Sequence, residues 1–82
     1  MRGDKIVAAA IRHAGFIWGG LRHGQIMQWI WEERGTEKIP QEEQGFLTNR
    51  GIFVNRYQAG AIAYMAGQTK TRKEHLLSED LW

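Results

Sequence analysis

Apolar positions along the chain fall into four short runs and two longer stretches with helical spacing. Phe46-Leu47-Thr48 and Ile52-Phe53-Val54 flank Asn49-Arg50-Gly51. A three-residue loop with Gly in the left-handed place is a common hairpin connection. Upstream, Ile6 to Ile11 and Phe16-Ile17-Trp18 flank Arg12 to Gly15 in the same manner. A helix over Asp4 to His13, capped by Asp4 and ended by Gly15, competes there, and its three Ala favour it. Asn55 with Gln58 three residues on forms a capping-box pattern. Ala59, Ile62, Ala63 and Ala66 then keep to one helical face, and Gly67 ends the helix. An earlier helix is expected from about Leu21 to Arg34, stopping at Gly35. Its Ile26, Met27, Trp29, Ile30 and Trp31 cover more than one face, which suggests burial or a subunit interface.

A shift of 36 positions places Gly15 on Gly51, Gly24 on Gly60 and Ile26 on Ile62. Apolar positions follow: Ile11 on Leu47, Phe16 on Ile52, Ile17 on Phe53, Trp18 on Val54. Each half then reads strand, Gly turn, strand, helix, which favours strand over helix for residues 5–13. The fold class expected is α+β: two ββα units forming a small antiparallel sheet packed against two helices, with an ordered C-terminal tail. The whole chain, 1–82, is one domain, with units at 5–35 and 44–69, a linker at 36–43 and a tail at 70–82.

Composition narrows the classes. The 82 residues contain no cysteine, so neither a disulfide framework nor a zinc–thiolate site can staple the chain. A hydrophobic content of 43% suits a folded protein, and a core this small invites oligomerisation. No apolar run reaches the length of a membrane span, and the start lacks the apolar stretch of a signal peptide, so a cytoplasmic protein is expected. The net charge of +2 is segregated. Lys5 to Trp31 holds no acid and three bases, and Gly45 to Lys73 no acid and five bases. Glu32 to Gln44 holds five acids between them. Acid-free blocks suit an anionic ligand. Nucleic acid is an unlikely partner, because the charge is small and the acidic linker and tail would repel a phosphate backbone, which leaves a weak nucleic-acid-binding protein as the last alternative function.

The candidate chemistry gathers at helix starts. Arg22-His23 follows Gly19-Gly20 and opens the first helix, where free N–H groups and a partial positive charge await an anion. Arg12-His13 duplicates the pair. Asn55-Arg56-Tyr57 occupies the matching place in the second unit. Thr48, Asn49 and Arg50 lie on or near its hairpin, and Trp18 or Tyr57 offers a stacking surface for a base. These residues together suggest a pocket for a phosphorylated nucleotide, with no cofactor and no metal. Glu32-Glu33 point about 100° apart on a helix and do not converge. His13, His23 and His75 lack ligand spacing. Enzyme activity is therefore not expected; a phosphodiesterase using His13 and His23 across the first hairpin is the enzymatic alternative. Trp29, Trp31 and the terminal Trp82 are candidate interface residues, for a second copy or another protein. A two-fold dimer is the simplest oligomer.

Three stretches carry a resemblance: Leu21-Arg22-His23-Gly24-Gln25-Ile26; Gln44 to Arg56 with Ala59, Ala63, Gly67 and Gln68; and Ser78-Glu79-Asp80-Leu81-Trp82. The chain resembles the family of small uncharacterised accessory proteins encoded by bacteriophages and prophages. By analogy the resemblance implies an anti-defence role inside the infected bacterium. Two forms are expected: sequestration of a small anionic nucleotide-derived signal, or direct inhibition of a host defence protein through aromatic surface residues.

Overall fold

The computed structural model describes residues 3–35 and 39–82. Met1, Arg2 and residues 36–38 of the expected linker lie outside the described residues. The element order is β1 (Ile6–His13), β2 (Phe16–Gly20), α1 (His23–Arg34), β3 (Gln44–Thr48), β4 (Phe53–Asn55) and α2 (Arg56–Met65). Short 3-10 turns at Gln41–Glu43 and Ser78–Asp80 precede β3 and close the tail. The strands form one antiparallel sheet in the order β2-β1-β3-β4, so the two hairpins join through their first strands. The architecture is the α+β sheet with two helices that the hydrophobic pattern implies.

Residues 6–13 are strand despite their three alanines. Ala10 pairs with Gly19 on one side and Gly45 on the other. This row of minimal side chains lets larger neighbours lie flat over the sheet. Leu47 reaches to 3.6 Å from where a Gly19 side chain would begin, and the Phe53 ring comes to 2.7 Å from the same point at Gly45. Small volume in the sheet centre thus outweighs helix propensity. The first turn is tighter than expected. Ala14 and Gly15, both at positive φ, form a two-residue connection, so Arg12 and His13 belong to the strand. The second hairpin has its expected loop: Gly51 holds φ +77° and its N–H donates to the Thr48 carbonyl.

Both helices cover the same face of the sheet. Ile26 and Ile30 of α1 and Ala59 and Ala63 of α2 enclose Ile6, Ala9, Ile11, Phe46 and Val54. The helix starts differ. Asn55 and Gln58 complete the reciprocal capping box of α2, whereas Arg22 caps α1 with no side-chain bond. The strand–strand–helix order occurs twice, but the shift of 36 is kept only as far as the turn glycines. Because β4 is two residues shorter than β2, the second helix starts three residues early. Gly24 consequently faces open space near the start of α1, while Gly60 lies mid-helix against the backbone of Lys73.

The tail is ordered on its own chain. Leu76 is fully buried in the core, and Leu81 and Trp82 pack against it. Trp82 is half-buried against its own chain. Trp29 and Trp31 remain 39% and 53% exposed.

Candidate functional site

The candidate residues separate into three places. Adjacent strand residues point to opposite faces, so Arg12-His13 splits across the sheet. Arg12 lies on the face away from the helices, its guanidinium 4.9 Å from the centre of the Phe53 ring. His13 turns to the other face, with Nδ1 3.2 Å from Glu43 Oε1. At the second hairpin, Thr48 Oγ1 accepts from the N–H groups of Arg50 and Ile52. Asn49 binds both sides of the N-terminal segment: Oδ1 accepts from Lys5 N–H at 2.9 Å and Nδ2 donates to the Gly3 carbonyl. Arg50 Nε lies 3.7 Å from Asp4 Oδ1. Thr48, Asn49 and Arg50 thus build the turn and fasten the N-terminal segment. Tyr57 is exposed beneath the Arg72 guanidinium, which donates to its hydroxyl. Trp18 packs on the core from β2, with its indole N–H buried and unpartnered. None of these residues reaches the third place.

That place is a cleft of about 370 Å³ where the starts of both helices meet the tail. Arg22, His23, Gly24, Arg56, Leu77, Ser78 and Glu79 line it. Of the expected ligand residues, the structure brings Arg22, His23 and Arg56 together here. Arg56 opens α2 yet is only 9% exposed. One terminal N–H group donates to the Leu76 carbonyl and the other to Gln44 Oε1, each at 2.7 Å. Its Nε is buried without a partner. Burial draws the guanidinium pKa downward and the Glu79 carboxylate opposes the shift; an arginine stays charged at neutral pH regardless.

His23 sits beside Arg56 against the Phe46 ring, edge-on at 4.9 Å. Its Nε2 lies 2.6 Å from the Gly45 carbonyl oxygen. A carbonyl only accepts, so Nε2 carries the proton. Burial holds the pKa below its usual 6.5, and the neighbouring Arg56 charge adds to this; the Gly45 bond and Glu79 pull the other way. A ring kept neutral presents no charge to an anion. Its role is to lock the first turn of α1 onto β3. The cation at the mouth is Arg22, exposed and donating to the Trp82 backbone oxygen.

The first-turn N–H groups of a helix have no partner within it. At α1 the Ser78 hydroxyl sits 3.4 Å from His23 N. Gly24 lines the cleft, with open space where a side chain would stand. Three cleft residues, Leu77, Ser78 and Glu79, were not anticipated as ligand contacts. The acidic tail beside two basic blocks was the signal in the sequence. A larger hollow of about 490 Å³ between residues 3–5 and α2 is lined mainly by Ala61, Ile62, Met65 and Ala66. It holds none of the candidate ligand residues and lacks the convergent donors of the cleft. Among the described residues no cluster of His, Cys, Asp or Glu could hold a metal ion, and no helix is long and apolar enough to cross a membrane.

Residues 5–82 match the family model described as Phage T4 y16D protein, and the chain belongs to that family. No curated protein and no solved structure matches it.

Proposed function

We propose that this phage-family protein is an anti-defence binding protein that sequesters a small anionic, nucleotide-derived signal in the cleft without altering it. The carrying observation is the convergence of two guanidinium groups, Arg22 and Arg56, and the start of α1 on one cleft. Two guanidinium charges and a helix N-terminus around one hollow favour an anion. The cleft volume falls within the range of about 300–1,000 Å³ typical of small-molecule sites. Binding without chemistry is supported by how Ser78, His23 and Glu79 are used. The Ser78 hydroxyl faces the backbone N–H of His23 rather than its ring, and the ring N–H is committed to Gly45. The His23 ring is thus not paired with the Ser78 hydroxyl, which donates instead to Glu79 Oε1 at 3.4 Å. The phage family supports an action inside an infected bacterium, and the anti-defence role is an analogy drawn from such accessory proteins.

Calorimetry and thermal shift with inorganic phosphate, linear mononucleotides and cyclic oligonucleotides test the reading. A nucleotide should raise the melting temperature and bind more tightly than phosphate alone. If no nucleotide or phosphate binds, the cleft is structural. The exposed rings of Phe16 and Trp31 favour a second reading, direct contact with a host defence protein. A protein retained from infected lysate by wild type and lost with Trp31→Ala would favour it.

A further inference from the structure

We propose that β2 is a self-association edge, along which two copies pair antiparallel about a two-fold axis at Trp18 to form one sheet of twice the width. The two edges of the sheet are unequal. The β4 edge is three residues long and passes straight into the capping box of α2. Short edges of this kind discourage pairing. The β2 edge is five residues, Phe16-Ile17-Trp18-Gly19-Gly20, with no charge, no proline and no bulge. Of the usual protections of an edge, one charge borders it, the Arg34 guanidinium 5.5 Å from the centre of the Phe16 ring. Phe16 and Ile17 are 58% and 50% exposed.

The register of the first hairpin says which backbone groups are free. His13 and Phe16 close the two-residue turn, so Phe16, Trp18 and Gly20 direct their N–H and C=O groups toward β1. Ile17 and Gly19 direct theirs outward, where no strand among the described residues pairs with them. Antiparallel pairing centred on Trp18 sets Ile17 opposite Gly19 of the second copy and the reverse, and Phe16 opposite Gly20. Each outward pair exchanges both backbone hydrogen bonds. Each bulky side chain meets a glycine, and there it packs beside the side chains that cover that glycine, Leu47 over Gly19 and Ile26 with Trp29 over Gly20. At the centre the two Trp18 side chains meet as a non-hydrogen-bonded pair, where aromatic partners stabilise antiparallel strands. The sequence of β2 is thus complementary to itself in this register, which is what a two-fold contact requires. This identifies a second copy as the occupant of the edge. The inference is independent of what the cleft binds.

Sedimentation equilibrium and hydrogen exchange decide it. Wild-type protein should be dimeric at micromolar concentration, Ile17→Lys monomeric, and Trp31→Lys still dimeric, each with an unchanged circular dichroism spectrum. On wild-type protein, the amides of Ile17 and Gly19 should gain protection as concentration rises. That measurement stands even if Ile17→Lys fails to fold. A monomeric wild type, a dimeric Ile17→Lys, or Ile17 and Gly19 amides that exchange freely at every concentration would overturn the proposal. Dissociation by Trp31→Lys but not Ile17→Lys would move the contact to α1.

Discussion

Arg56 delivers two charged N–H groups to acceptors in buried hydrogen bonds, the Leu76 carbonyl and Gln44 Oε1. Removing a charge-assisted bond and leaving its acceptor buried costs about 1.5–3 kcal/mol. Arg56→Ala should therefore lower stability by about 3 kcal/mol or more, measured by urea denaturation. Arg22 stands in solvent, and Arg22→Ala should change stability by about 1 kcal/mol or less while weakening phosphate or nucleotide binding about tenfold to a hundredfold. Calorimetry on the folded variant reads that loss. His23 adds a pH dependence. Its folded pKa lies below the unfolded value of 6.5, so the unfolded chain takes up a proton first as pH falls. The contribution of the neutral ring is complete above pH 6.5 and declines as pH drops from there through the folded pKa. His23→Gln, which keeps a donor for Gly45, should flatten the wild-type loss of melting temperature on acidification below pH 6.5. The position of Arg22, His23 and Arg56 at helix starts was legible in the sequence. Their division of labour was not, because it depends on Gln44, Leu76 and Phe46 arriving from other elements. Thr48, Asn49 and Arg50 read as ligand groups for the opposite reason. Polar turn residues have the same types whether they satisfy their own turn or face a ligand.

Between elements, the sheet depends on a side chain standing in for a strand. Beyond the reach of β2, the backbone of Ile6 finds its partners on Gln68: its N–H donates to Oε1 and its carbonyl accepts from Nε2, both at 2.8 Å. Gln68→Ala leaves both groups unpaired beside a buried Ile6 and should cost about 2 kcal/mol. Faster exchange of the Ile6 amide would accompany the loss. Hairpins and helices were legible because turn glycines, a capping box and periodicity are local. Contacts such as Gln68 with Ile6, or Gly60 with Lys73, lie across the fold and leave no local trace. The slip of the 36-residue shift beyond the turns follows the same logic, since Gly24 and Gly60 match in type while one is open and the other is under the chain.

At the scale of the molecule, the tail is what joins the two helices into one site. It runs past α2, buries Leu76 beneath Arg56, and turns back across the start of α1 through Ser78–Asp80. Lys73 and Asp80 meet at 4.0 Å and the Asp80 carboxylate accepts from Leu77 N–H, so the turn is braced from within. Leu81 and Trp82 end it on the core, where Trp82 N–H donates to the Ser78 carbonyl and its own backbone oxygen accepts from Arg22. Removing Leu81 and Trp82 withdraws a large apolar ring from its seat, and a loss on the order of 2 kcal/mol is expected. Leu76 stays anchored by Arg56, so the fold should survive while residues 77–80 loosen. The wall of the cleft loosens with them. Arg22 is freed for a ligand, but an anion must then order that wall on binding, at about 1 kcal/mol or more per residue fixed. The ordering cost exceeds the benefit of releasing one exposed hydrogen bond. The truncated protein should therefore bind phosphate or a nucleotide more weakly than wild type as well as melt lower, which paired calorimetry and denaturation would read. An unchanged melting temperature would show that the tail does not latch the fold. Tighter anion binding would show that the tail competes for Arg22 rather than building the site.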